Sequence, residues 1–410
     1  MPDVPDGGSG SRPPEGGLAV PGKRPVPRRV LVLTSSTGGG HDMRARALKA
    51  WAETEEGRRF GLDVTIHQTL EETHGLYDFG VTLYNRIQQF WPKLHHVYFN
   101  FLEHACLHDS AGKIWGRRRF LEKVREVRPD LIVSTHAHLN HGFFELARWA
   151  IPMQRPKCVT YCGELSGGYG FSRHWVNPKA DLFIGAVEET CDAASIHGIG
   201  DARNWVGGFL LDPAFYGAPM GEEDRRGYLA EEFDLDPDRF VLVLGTGANG
   251  ANNHIRALNA LYEARVYPQV VALCGRKTET VAAIRAWQAD HPLLPVRALP
   301  FYERMSRLLQ AASAVVARSG TGTTSEAILA RCPLVFNGVG GVMPQECITV
   351  KYCRKNGIGT LLNRTHHLPG IVKEWMRDPA KRESVVAAME RVRPNRHPLD
   401  ILAKLRSLVE

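Results

Sequence analysis

Nowhere in the 410 residues does an uninterrupted apolar run reach the length of about eighteen that a bilayer-spanning helix needs. No such helix is expected, and the N-terminal stretch lacks the apolar centre of a signal peptide. The chain is therefore expected in the cytoplasm. Its eight cysteines include no C-x-x-C pair, which argues against a zinc site or a disulfide framework. No nucleic-acid-binding module pattern occurs, and nucleic acid is not an expected partner. The net charge of +7 fits an acidic partner such as anionic lipid or a nucleotide diphosphate, without choosing between them.

What the chain does have is alternation. Residues 1–28 are rich in Gly, Pro and Ser and read as a disordered tail. Strand patterns at 30–33, 62–68, 131–134, 157–161 and 182–186 then alternate with helical patterns at 43–55, 142–149 and 188–197, with helical stretches through 123. Periodicity lapses into Gly, Pro and acidic residues around 205–238, and 213–238 reads as a linker. A second series follows: strands at 239–244, 270–273, 296–299, 314–316 and 333–336, with helices at 279–290 and 303–312. This order predicts an α/β fold of two Rossmann-like parallel-sheet domains, 29–212 and 239–395, facing each other across a cleft. A final helix at 400–409, within segment 396–410, could pack back on the first domain.

Two loops carry the chemistry. Ala317-Arg318-Ser319-Gly320-Thr321-Gly322-Thr323-Thr324-Ser325-Glu326-Ala327 runs from a strand into a helix. Helix starts expose unpaired N–H groups and a positive dipole end, and glycine lets a phosphate approach the main chain. Glu326, one turn in, could accept both hydroxyls of a ribose; the plainer alternative is a capping box, Thr323-x-x-Glu326. A second loop, Ser35-Ser36-Thr37-Gly38-Gly39-Gly40-His41, follows the first strand. It places His41 in the first turn of a helix, where the dipole lowers an imidazole pKa and favours the neutral ring of a general base. Capping or packing is the alternative role.

Gly245-Thr246-Gly247-Ala248-Asn249-Gly250 fits the dinucleotide fingerprint G-x-G-x-x-G. That fingerprint asks for an acidic residue after the next strand, and Val270-Val271-Ala272-Leu273 ends instead in Cys274-Gly275-Arg276-Lys277. An NADP variant using Arg276 would leave the other two loops without a role.

Thr37-Gly38-Gly39-Gly40-His41, Pro129-Asp130-Leu131-Ile132-Val133-Ser134-Thr135-His136, Cys274-Gly275-Arg276, Gly320-Thr321-Gly322-Thr323-Thr324-Ser325-Glu326-Ala327 and Pro344-Gln345-Glu346 together resemble the monogalactosyldiacylglycerol synthase group of diacylglycerol glycosyltransferases. More distantly, the chain is similar to the enzyme that adds N-acetylglucosamine to lipid I. The resemblance covers about 29–361 in the same order. It implies the GT-B fold and inverting transfer of a hexose from a UDP-sugar to diacylglycerol or a glycolipid. It also implies peripheral action on the inner face of the cell membrane, with an anionic membrane surface as partner. No cofactor and no metal are implied, the UDP-sugar being a co-substrate; Asp234-Leu235-Asp236 reads as turn and cap chemistry.

Carried over by position, Gly320, Thr321, Gly322 and Thr323 would cradle the pyrophosphate and Glu326 would hold the ribose. Gln345 and Glu346 would bond sugar hydroxyls. Phe301 would lie by uracil, with Gly245, Thr246, Gly247, Gly275 and Arg276 completing the UDP-sugar side. Gly39, Gly40 and His136 would face the acceptor. Relatives often carry a Thr-Asp pair where this chain reads Cys162-Gly163-Glu164, so the candidates for the base are His41 and Glu164, the latter being otherwise an exposed loop carboxylate, and Gly167-Gly168-Tyr169-Gly170 beyond it is also unusual. Residues 76–115 are dense in aromatic and basic side chains, including Tyr77, Phe79, Tyr84, Arg86, Phe90, Trp91, Lys93, Tyr98, Phe99, Phe101 and Trp115, before Arg117-Arg118-Arg119. They read either as a membrane-facing surface or as the core of a helical subdomain. A soluble acceptor, a UDP-N-acetylglucosamine 2-epimerase and a non-catalytic UDP-sugar sensor are the competing functions.

Overall fold

The computed structural model describes residues 26–90, 94–105, 108–245 and 253–410. Most of the N-terminal tail, and Thr246 and Gly247 of the glycine-rich turn, lie outside the described residues. Among the described residues, twelve strands form two parallel six-stranded sheets. The first contains β1 (Arg28–Thr34), β2 (Leu62–Gln68), β3 (Leu131–Ser134), β4 (Lys157–Cys162), β5 (Leu182–Gly185) and β6 (Asn204–Val206), in the order 2-1-3-4-5-6. The second contains β7 (Val241–Leu244), β8 (Gln269–Leu273), β9 (Val296–Leu299), β10 (Ala314–Ala317), β11 (Leu334–Asn337) and β12 (Gly359–Leu362), in the order 12-11-10-7-8-9.

The central strands are apolar throughout because both faces of each sheet are covered. Val30 and Val32 of β1 point into one core and Leu31 and Leu33 into another. In β7 the same alternation sends Val241 and Val243 one way and Leu242 and Leu244 the other. Each such side chain contributes roughly 1.5–3 kcal/mol by leaving water.

In each sheet the chain reverses its winding once, between β1 and β3 and between β7 and β10. A crevice opens at such a switch point, beyond the carboxyl ends of the strands. The 35–41 loop leaves β1, and the 318–320 loop leaves β10.

One local reading is corrected, and two edge strands are added that the sequence pattern did not show. The segment expected to be a linker holds a twelve-residue helix, Glu222–Phe233, whose Tyr228, Leu229 and Phe233 enter the second domain's core. Its polar face is too long for the apolar period to show. Asp234 ends that helix in a left-handed conformation, and Asp236 accepts a hydrogen bond from the Asp238 N–H at 2.9 Å. The short edge strands β6 and β12 gave no strand pattern because edges carry few apolar residues. The helix Pro398–Ser407 returns to the first sheet, where Ile401, Leu402 and Leu405 share a core with Val30, Val32 and Trp51.

Candidate active site in the interdomain cleft

A cleft of about 1740 Å³ lies between the two sheets. Its lining includes Gly39, Gly40, His41 and Glu164 from the first domain. The second domain supplies Gly245, Gly275, Arg276, Phe301, Gly320, Thr321, Gly322, Thr323, Glu326, Gln345 and Glu346. Two segments far apart in sequence thus face each other.

On the second domain the helix Thr321–Leu329 begins at Gly320 with no side-chain cap. Its first N–H groups are therefore left without a capping side chain, at residues Gly320 to Thr323 that line the cleft. The Thr323 to Glu326 capping box does not form, because the helix starts two residues before Thr323. Glu326 instead lines the cleft, and burial pushes its carboxyl up to about 7, against the pull of Arg44. Glu346 is committed differently: Arg318 Nε and Nη2 grip its two oxygens at 3.0 and 2.6 Å, and it also accepts the Met343 N–H. Sequence reading quoted Arg318 within the loop but gave it no role.

The first domain's loop has another character. Ser36 N–H donates to Glu71 Oε1 at 2.7 Å and Gly38 N–H to Asn85 Oδ1 at 3.0 Å. Its leading donors are already satisfied, in part by a carboxylate, which makes it a poor seat for an anion and leaves the Thr321 helix start as the better one. His41 Nδ1 lies 2.8 Å from the Thr135 carbonyl oxygen. A carbonyl only accepts, so Nδ1 carries the proton and Nε2 is left with its lone pair. Burial, reinforced by the Arg44 charge, pushes the imidazole down to about 4, so the ring is neutral near pH 7.

His136 does not reach the cleft, in contrast to its expected place on the acceptor side. Its Nδ1 accepts the His138 N–H at 3.2 Å, and its Nε2 meets Thr37 Oγ1 at 3.0 Å. It props the loop from behind, edge-on to His41 at 4.5 Å between ring centroids.

Glu164 is buried, and its Oε2 has no hydrogen-bond partner among the described residues. Burial pushes its carboxyl up to about 7, with Arg44 again opposing. A buried, unpartnered carboxyl oxygen in a cleft is costly for folding and available for a substrate proton. His41 and Glu164 are thus two titratable groups of the cleft with well-separated pKa values.

Arg44 was missed by sequence reading. It follows Gly40 by one helical turn in Gly40–Glu53 and is only 4 % exposed. Its guanidinium donates to the Gly40 and Gly163 carbonyl oxygens and, across the domain boundary, to Thr321 Oγ1 at 2.5 Å. A basic residue at i+4 from a loop glycine, on a helix otherwise amphipathic, was the available signal.

The domains also meet where the 76–115 segment touches the second domain. Gln345 Nε2 donates to Tyr84 Oη at 2.5 Å, and His96 Nε2 lies 2.9 Å from the Val342 carbonyl oxygen. The aromatic segment is divided. Tyr77, Tyr84 and Tyr98 turn inward, whereas Leu76, Phe79 and Leu83, at i, i+3 and i+7 on the helix Gly75–Phe90, are exposed, as are Leu94, Val97, Phe101 and Trp115. Trp91 and Lys93 lie outside the described residues. No helix among them is long and apolar enough to cross a membrane.

Residues 240–337 match the glycosyltransferase family 28 C-terminal domain. Monogalactosyldiacylglycerol synthase 2, chloroplastic, of Arabidopsis thaliana is 25% identical over 364 residues, covering 85% of this chain and 74% of that one. The fold resembles that of Acinetobacter baumannii MurG, with a TM-score of 0.59 and 16% identity over 92% of this chain and all of that one. It also resembles Anabaena HepE in complex with UDP, with a TM-score of 0.54 and 14% identity over 93% and 98% of the two chains. The protein is a glycosyltransferase of GT-B architecture with a family 28 C-terminal domain, and a homologue of the monogalactosyldiacylglycerol synthases.

Proposed function

We propose that the protein transfers a hexose, with inversion, from a UDP-sugar to diacylglycerol or a glycolipid at a membrane surface. The observation that carries this reading is the uncapped Thr321 helix start with Glu326 on one wall of the cleft, facing His41 and Glu164 on the other. Uridine ribose hydroxyls would bond Glu326, the diphosphate would lie on the Thr321 N–H groups, and Gln345 would meet the sugar. The base, Glu164 or His41, takes the acceptor hydroxyl proton as that oxygen attacks the anomeric carbon. The bond to the diphosphate breaks, and its electron pair leaves with UDP. The UDP bound by a structural neighbour and the synthase relatives support donor and acceptor classes. The exposed apolar face of Leu76, Phe79 and Leu83, the exposed Val97 and Phe101, and the exposed Arg117, Arg118 and Arg119 support contact with an anionic membrane surface.

The test is UDP release from a panel of UDP-sugars, with and without vesicles containing diacylglycerol and an anionic lipid. Release that needs both one sugar and the lipid is expected. Release that ignores lipid would transfer the reading to a soluble acceptor, and absence of release with every sugar would refute it.

A further inference from the structure

Arg44 is a buried cation whose hydrogen-bond partners are all neutral oxygens. Burying a charge this way is costly unless an anion completes the arrangement. The nearest carboxyls that feel it, Glu164 and Glu326, make no ion pair with it within 4.0 Å. Four other arginines of the cleft are already matched, Arg318 with Glu346, Arg304 with Glu232, Arg307 with Asp224 and Arg46 with Asp42, and the remaining two that line it, Arg256 and Arg276, are exposed to water, so Arg44 is the buried one.

The seat of Arg44 is also built for it. A Cβ on Gly163 would stand 2.0 Å from Arg44 Nε and 2.2 Å from Cζ, so the turn Cys162-Gly163-Glu164 has a glycine where the guanidinium lies. On the far side, Met43 packs against Gly322, where a Cβ would come within 3.1 Å of the methionine methyl. The helix Gly40–Glu53 therefore delivers Arg44 directly onto the first residue of the opposing Thr321–Leu329 helix.

We propose that Arg44 is the charge partner of the donor's diphosphate, presented to the Thr321 loop from the opposite domain. This rests on the UDP-sugar reading above. The arginine gives up the Thr321 hydroxyl or shares it, places its N–H fork on a phosphate oxygen, and stabilises the negative charge that grows as the sugar departs. Because the cation belongs to one domain and the helix start to the other, the diphosphate ties the two together, and nucleotide without phosphate cannot.

Calorimetric titration of UDP and of uridine into the wild type, R44Q, R44K and T321A tests this, with a thermal melt of each variant as the folding control. R44Q should lose about ten- to a hundred-fold in UDP affinity with uridine affinity unchanged. R44K should fall between, and T321A, which removes the shared hydroxyl but keeps the arginine and the backbone N–H groups, should lose less UDP affinity than R44Q. Equal loss for UDP and uridine, or undiminished UDP binding in R44Q, overturns the proposal. Should R44Q not fold, R44K decides by the same comparison. Failure of the wild type to bind UDP at all would remove the donor reading itself, and shows before any variant is made.

Discussion

The backbone of Gly170 passes so close to Pro344 that a Cβ on the glycine would stand 1.9 Å from the proline carbonyl oxygen, and its φ is +100°. The otherwise unusual Gly167-Gly168-Tyr169-Gly170 run is thus a close contact between the domains, made at the start of the helix Pro344–Asn356 that carries Gln345. Gly170→Ala combines a strained conformation with a backbone overlap. It should cost about 2–4 kcal/mol, read as a lowered denaturation midpoint. A variant as stable as the wild type would mean that the two domains do not meet there in solution.

Gly163→Ala should destabilise by about 1–3 kcal/mol because Arg44 must leave its seat. In an Arg44→Ala background the same substitution should cost almost nothing. Denaturation of the four proteins gives the coupling directly, and additive effects would show that the two residues do not share that space.

The two possible bases are separable by pH. Glu164, held up at about 7, ionises as pH rises through neutrality, whereas His41, held down at about 4, is already neutral well below it. With Glu164 as base, the rate at saturating donor climbs with a midpoint near 7, and Glu164→Gln removes the climb with a loss of about 10²–10⁴ in kcat. A midpoint near 4 that survives in Glu164→Gln assigns the role to His41 instead.

Stability should follow the same groups. Glu164 and Glu326 bind a proton more tightly folded than at their ordinary value of 4.5. Their contribution is fully present below about 4.5 and is lost as pH rises to about 7. Glu164→Gln and Glu326→Gln should each flatten the fall in melting temperature between pH 5 and 8; unchanged slopes would show that neither carboxyl is held neutral by burial.

Phe79→Asp and Phe101→Asp place charges on exposed apolar positions outside the cleft. Both should reduce co-sedimentation with vesicles of phosphatidylcholine and phosphatidylglycerol while UDP affinity stays as in the wild type. Undiminished sedimentation would move the membrane contact elsewhere or remove it.

The paired sheets were legible because β1 and β7 are buried on both faces and read as unbroken apolar runs. The glycine loops were legible because each follows such a strand. Arg44 was not, because its importance comes from Gly163 and Thr321, which lie 119 and 277 positions away in sequence. Nor was the displacement of His136, which depends on hydrogen bonds to Thr37 and His138 that no spacing announces. The 76–115 segment combined both readings, since helical spacing identifies a face but not which face is covered.

The return of the helix Pro398–Ser407 to the first sheet sets the order in which the molecule can be completed during synthesis. Ile401, Leu402 and Leu405 fill a core with Val30, Val32, Leu48 and Trp51, and Trp51 is further tied to the Leu211 carbonyl oxygen and packed against His397. Until residues 398–407 have left the ribosome, this half of the first domain has an open apolar face, even though all of its strands are made. The second domain has no such debt to later sequence, so the half translated last is able to close first.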